Sequence, residues 1–235
     1  MESKRIEAVK RWGFLIALVA APLLILGAEM LSPIDHERDS AQEMLVTLAD
    51  KGGRYQAAVL LILAGMGLMI PATLALARLC GQRGRWYALI GSVLLVAGLV
   101  AFTANIGAMG LALTALATLP AEQREATAAG IEAILEGKGA IPWTFPVLLA
   151  GLVIGPLLLA IGLWRGHLLT RWAALGVPAG WWLFFFGPSH LARALGAVLL
   201  LAALTLAAWR LSHDADAIRG AAVAEPRARP AVAGG

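Results

Sequence analysis

The chain is poor in charge. Only 14% of its 235 residues are Asp, Glu, Lys or Arg, whereas 60% are hydrophobic. Soluble proteins carry about 25% charged residues, so this balance disfavours a soluble domain and favours membrane-spanning segments. The formal charge of +4 is small, and no basic face is interleaved with exposed aromatic residues. We therefore expect no binding of nucleic acid.

Cysteine and the common catalytic motifs are scarce as well. The single Cys80 excludes an intramolecular disulfide and a thiolate metal cluster. The chain has no Gly-x-Ser-x-Gly motif and no Gly-rich phosphate loop, which excludes a serine-hydrolase elbow and an NTPase core. Its apolar runs hold no paired carboxylates, arginine ladder or paired histidines. This disfavours a proton pump, a voltage sensor and a b-type haem protein, so we expect no cofactor.

Apolar runs fill most of the remaining sequence, and a helix needs about 20 apolar residues to cross a bilayer. The first run is too long for the core of a cleaved signal peptide, so we expect it to be retained. A four-span arrangement with one re-entrant run is the alternative to six spans. The six predicted spans cover about residues 12–31, 55–79, 86–112, 143–164, 172–187 and 191–211.

Two polar connections predict short amphipathic helices in the outer loops. Ser40 and Glu43 have the spacing of a capping box, and Gly52-Gly53 predicts the end of the first helix. Pro120 predicts the start of the second helix. The sequence thus predicts one all-α polytopic transmembrane helix bundle over residues 1–211. Residues 212–235, rich in Ala, Pro, Arg and Gly, are predicted to form a disordered cytoplasmic tail.

The basic residues predict the orientation, because Lys and Arg concentrate in cytoplasmic loops. With both termini inside, 13 of the 19 Lys and Arg residues lie on the cytoplasmic side. We therefore expect a multi-pass protein of the cell membrane, with the lipid bilayer as its surroundings and both termini cytoplasmic. The aromatic block at 181–186 is expected to form a belt at the outer interface. Gly151-x-x-x-Gly155 and Gly176-x-x-x-Gly180 predict close helix packing inside the bundle.

Polar residues within or beside the spans are the functional candidates, because burying them in a membrane is costly. One carboxylate and one amide lie inside apolar runs, and the others follow the first span or begin the sixth. If the outer residues converge, they could bind a divalent metal or shuttle protons. Otherwise they belong to a solvated loop and a helix start capped by Ser189. The candidates are Glu29, Asn105, Asp35, His36, His190 and Arg193.

A basic turn leads into the fifth predicted span, where residues 166–176 read Gly-His-Leu-Leu-Thr-Arg-Trp-Ala-Ala-Leu-Gly. Together with the long polar loop and small helix after the first span, this layout resembles a broad group of bacterial six-span membrane proteins known as a domain of unknown function. The likeness extends over most of residues 10–211. Because that group has no agreed activity, the resemblance implies the topology and no site.

Three functions agree with these patterns. The first is a non-enzymatic membrane protein that acts as a structural, accessory or regulatory component, alone, as a homo-oligomer or with a membrane protein partner. The second is a small transporter for an apolar or amphiphilic solute, with prolines in its spans as hinges. The third is an outward-facing membrane enzyme, which requires Asp35, His36 and His190 to lie together.

Overall fold

The computed structural model describes residues 2–35, 39–80, 83–135 and 146–224. All regular secondary structure in these ranges is helical, which confirms the predicted all-α class. A π-helical segment, Ala150–Ile154, interrupts the fifth helix. The helices are α1 (Glu2–Leu31), α2 (Ala41–Leu79), α3 (Arg85–Ala117), α4 (Ala121–Leu135), α5 (Pro146–Arg165), α6 (Arg171–Phe186) and α7 (His190–Ala224).

Five of these helices are long and apolar enough to cross a membrane, which indicates an integral membrane protein. The remaining predicted span, the fifth at residues 172–187, corresponds to α6. Its 16 residues make a helix about 24 Å long, shorter than the other five. The five apolar segments are Trp12–Leu31, Ala41–Arg78, Arg85–Ala117, Pro146–Arg165 and His190–His213.

Six helices form a closed ring. In the order α1, α2, α3, α5, α6 and α7, each packs against the next, and α7 returns to pack against α1. One end of the ring holds residues 83–84, before α3, and the turn at 166–170, and we call it the basic end. The opposite end holds the last turn of α1, residues 32–35 and 39–40, and the first turn of α7, and we call it the acidic end.

The interior of the ring is apolar and contains part of the aromatic block. Trp181 is fully buried and stacks on Phe185, with ring centroids 5.3 Å apart. Phe184 is buried too, whereas half of Phe186 is exposed. The predicted outer aromatic belt is therefore wrong for Trp181 and Phe184. Successive helical residues point about 100° apart, so the five aromatic side chains among six consecutive residues cannot share one lipid-facing side.

The first predicted amphipathic helix and the second span meet at a kink inside α2. Lys51 has a non-helical backbone there (φ −114°, ψ 23°), one residue before Gly52-Gly53, where the sequence predicted the first helix to stop. The two helical segments are joined across this kink, and each helical glycine costs about 1 kcal/mol. The start of α2 is buried against the ends of α3 and α4. This second core contains Ile34, Ala41, Met44, Leu45, Leu48, Tyr55, Leu113, Ala117, Ala128 and Ile131.

The last helix is longer than predicted. α7 continues to Ala224, whereas the sequence predicted disorder from residue 212 onward. Residues 212–224 contain five alanines, and alanine is the strongest helix former, so the segment continues the helix that precedes it. The prediction for residues 225–235 lies outside the described residues.

Glycines bring α3 and α5 into backbone contact. A Cβ atom on Gly98 would lie 2.8 Å from the Cα of Gly151, and one on Gly155 would lie 2.7 Å from the backbone nitrogen of Leu95. Gly180 of α6 makes a similar approach to Leu200 of α7. Both small-residue motifs therefore pack within the bundle, as the sequence predicted.

Replacing Gly98 by valine should destabilise the bundle by about 1–3 kcal/mol, because overpacked groups force neighbours apart and the neighbour here is backbone. The measurement is the thermal unfolding midpoint in detergent. Gly67→Val is the matched control, since nothing lies within 4 Å of a Cβ at Gly67. Equal midpoints for the two variants would contradict the close contact between α3 and α5.

Candidate functional site

Four predicted candidates meet at the acidic end and form an ionic cluster of Glu29, Asp35, His190 and Arg193. Arg193 donates from Nε to Oε1 of Glu29 at 2.9 Å and from a terminal nitrogen to Oδ1 of Asp35 at 2.8 Å. The Nδ1 atom of His190 lies 2.6 Å from the same Oε1 of Glu29. Its Nε2 atom lies 3.8 Å from Oδ2 of Asp35. The cluster joins the end of α1 to the start of α7.

The end of α1 and the following segment are held by hydrogen bonds. The last carbonyls of a helix lack intrahelical donors, and Arg54 of α2 donates to those of Leu31 and Met30 at 2.8 and 3.1 Å. Further along, the backbone N–H of Asp35 donates to Oδ2 of Asp39 at 2.7 Å, and the N–H of Asp39 donates to the carbonyl of Asp35 at 2.8 Å. This turn holds the Asp35 carboxylate near Arg193.

The next residues begin α2 through the predicted capping box. Ser40 Oγ accepts from the N–H of Glu43 at 3.3 Å, and the Glu43 carboxylate accepts from the N–H of Ser40 at 2.9 Å. Because both orphan donors at the helix start are satisfied, the segment from α1 to α2 is anchored at each end. The prediction made from these two residues is confirmed.

The two basic members of the cluster share one face of α7. His190 and Arg193 are three residues apart in the first turn, a spacing that places side chains side by side on a helix. Ser189 Oγ accepts from the N–H of Ala192 at 3.3 Å, which confirms its predicted capping role. The partial positive charge of a helix start also favours nearby carboxylates, and α7 presents its start to Glu29 and Asp35.

Because the cluster is largely buried, the pairing of its charges matters for stability. The side chains of Glu29, Asp35 and Arg193 are only 10 to 12% exposed, whereas His190 is 38% exposed. A buried charge without a partner is costly, and removing one member of a buried pair costs about 3–5 kcal/mol. Arg193 contacts both carboxylates, one from the end of α1 and one from the residues after it. The cluster therefore links α1 to α7 through buried charge pairs.

The polar atoms of the cluster are largely directed at one another. Glu29 Oε1 is shared by Nδ1 of His190 and Arg193. Nε2 of His190 lies 3.8 Å from Asp35, beyond hydrogen-bond distance. In the described ranges, no group of three or more His, Cys, Asp or Glu side chains is arranged to hold a metal ion.

The other two candidates do not join the cluster. Asn105 lies on α3, half-buried, and its Nδ2 donates to the carbonyl of Ala101 in the same helix at 2.9 Å. This bond lies within α3. His36 lies outside the described residues, so its predicted convergence with Asp35 and His190 stays a prediction.

Sequence reasoning missed Arg54, which holds the end of α1. Its only signal in the sequence is a basic residue near the acidic loop. Nothing in that signal shows that its partners are backbone carbonyls 23 and 24 residues earlier.

No family model matches the chain, and neither a curated protein nor a solved structure does. The resemblance to bacterial six-span proteins therefore stays a prediction, and the site is argued from its own geometry.

Removing either charge of the main pair should destabilise the protein. We expect Glu29→Gln and Arg193→Gln each to lower the free energy of unfolding by about 3 kcal/mol, with a coupling energy of about 1–3 kcal/mol in the double-mutant cycle. Asp50→Asn, at an exposed position of the same end, is the control and should change stability by less than about 0.5 kcal/mol. Additive effects in the cycle would show that the two side chains do not interact.

Proposed function

We propose that the chain is a six-span membrane protein with both termini in the cytoplasm, and that it acts as a structural, accessory or regulatory component rather than an enzyme. One observation carries the second part of this proposal. The outer ionic cluster is used mainly for pairing, because Arg193 bonds to both Glu29 and Asp35 and Nδ1 of His190 bonds to Glu29. Such a cluster links the first and last helices of the ring.

The position of α6 supports the proposal that it crosses the membrane in addition to the five longer helices. Thr170 precedes α6 at the basic end, where its hydroxyl accepts from the N–H of Ala173. Gly187 follows α6 at the acidic end, two residues before the Ser189 that caps α7. The helix therefore joins the two ends of the same ring that the five longer helices join. A helix of about 24 Å is a few residues short of the usual span, a mismatch that membranes accommodate at modest cost.

The topology can be tested by cysteine labelling, because the native Cys80 is expected to react little with the label. Burial raises the pKa of the Cys80 thiol to about 11, so at neutral pH it stays protonated and unreactive. We expect Asp50→Cys and Pro188→Cys to react with an impermeant maleimide on intact cells. Arg85→Cys should react only after permeabilisation. If Pro188→Cys, like Arg85→Cys, reacts only after permeabilisation, α6 does not cross the membrane.

The structural role has its own test in cells that lack the wild-type chain. The charge exchange Glu29→Arg with Arg193→Glu is compared with the single variant Glu29→Arg. The variant Asn105→Ala is measured alongside them. We expect Glu29→Arg to lower protein abundance and the exchanged pair to restore part of it, because the pairing is re-formed. Any cellular phenotype should follow abundance. A phenotype lost at normal abundance in Asn105→Ala would contradict a purely structural role.

A transporter for an apolar or amphiphilic solute is the second candidate. The π-helical segment of α5 favours it, since such segments often mark functional positions. Trp181 Nε1 and Thr103 Oγ1 favour it too, because both are buried without a hydrogen-bond partner among the described residues. Against it, α5 meets α3 through glycine backbone contacts, and Pro71 is exposed on the outside of the ring. Uptake that depends on the Trp181 indole, lost in Trp181→Phe at normal stability, would favour transport.

A further inference from the structure

The basic end carries a cavity that the ionic cluster does not involve. Its volume is about 510 Å³, and it lies where the turn before α3 meets the end of α5. Arg83 comes from the first of these elements, and Trp164, Arg165 and His167 come from the second. Of the four described side chains that line it, three are therefore basic and the fourth is an indole.

No carboxylate in the neighbouring sequence balances these charges. Residues 51–121 and 137–213, which contain both turns of the basic end, include no Asp or Glu. The guanidinium of Arg165 lies 5.1 Å from the ring centroid of Tyr87, so its neighbour is an aromatic face rather than an anion. The described residues that line the cavity thus include basic side chains and no carboxylate, whereas the charges of the acidic end are paired.

His167 has an unusual backbone conformation. Its φ of 60° is left-handed, a conformation that usually falls to glycine at the end of a helix. The N–H of His167 donates to the carbonyl of Trp164, and the N–H of Leu168 donates to that of Leu163, both at 3.0 Å. These are the two bonds of a Schellman motif. A histidine at the position that favours glycine costs stability, and such strain is concentrated at functional sites.

Exposed apolar residues extend from this cavity along both helices. On α3, Trp86, Ile90 and Val93 are exposed at helical spacing, and on α5 Leu157 and Trp164 are exposed. Tryptophan is enriched where lipid headgroups meet the hydrocarbon of a membrane. The cavity therefore lies at the end of a surface suited to acyl chains, at the depth where headgroups are found.

We propose that this cavity binds the phosphate headgroup of an anionic phospholipid, with Arg83, Arg165 and His167 around the phosphate and the indole of Trp164 beside the glycerol backbone. Basic recesses between membrane helices suit such headgroups, and arginine forms paired hydrogen bonds to phosphate oxygens. This inference depends on the membrane location in the proposed function, because only there do the acyl chains contact α3 and α5.

The test is native mass spectrometry of the full chain in detergent, titrated with phosphatidylglycerol or with phosphatidylcholine. We expect phosphatidylglycerol to bind at least tenfold more tightly. The double variant Arg83→Gln and Arg165→Gln should remove most of that preference, about fivefold for each arginine. Arg85→Gln with Arg210→Gln is the matched control, because it removes the same charge from residues that do not line the cavity. An equal loss in the control would overturn the proposal in favour of general charge attraction.

The variant His167→Gly distinguishes an effect on lipid binding from an effect on folding. Glycine suits the left-handed conformation, so without lipid the unfolding midpoint should stay the same or rise. The affinity for phosphatidylglycerol should fall severalfold, and a variant with unchanged affinity would exclude His167 from the site. Millimolar inorganic phosphate should compete weakly with the lipid. Complete displacement by phosphate would show that the cavity selects a free anion and would overturn the assignment to a lipid.

Failure of this inference can be told apart from failure of the proposed function. Extraction of cell membranes with alkaline carbonate reports whether the chain is integrated in the bilayer. A chain released by carbonate would refute the membrane role itself. A chain that stays in the membrane but binds phosphatidylglycerol no better than phosphatidylcholine would refute the lipid site alone.

Discussion

The ring of helices depends on the pairing between Glu29 of α1 and Arg193 of α7. These helices are the first and last of the ring, so their contact closes it. Charges with only 10 to 12% of their side chains exposed are stable together and costly apart. The pairing is thus a condition on the fold as a whole. It also explains why the segment after α1 is held so firmly, since Asp35 must reach the same guanidinium.

The rest of the ring is joined by different means. Between α3 and α5, and between α6 and α7, glycines let the backbones touch, so the contact is made by dispersion forces. Lipid chains are as apolar as leucine, and packing alone must therefore bring membrane helices together. The acidic end lies at the end of the helix bundle, near water, where charged side chains are less costly than in the hydrocarbon. The ring is therefore held by close packing at its middle and by an ionic cluster at one end.

The sequence predicted what depends on local patterns. Apolar run length predicted the helices, Ser40 and Glu43 predicted a cap, and four of the six candidate polar residues came together as a cluster. It did not predict which partners meet, because Glu29 and His190 are 161 residues apart. It also misplaced Trp181, because tertiary packing decides which side chains are buried. The stop predicted at Gly52-Gly53 is present as a kink at Lys51 rather than as the end of α2.

The two ends of the molecule differ in how their charges are satisfied. At the acidic end, cations and carboxylates are paired within the chain, so an added ligand would have to displace an existing partner. At the basic end, Arg83, Arg165 and His167 surround an open cavity in a stretch of sequence without carboxylates. An anion bound there would be attracted by these basic side chains and would not have to displace a carboxylate of that stretch. The acidic end, which the sequence singled out, therefore contributes to stability, whereas the basic end, which it did not, is the one suited to recognition of an anion.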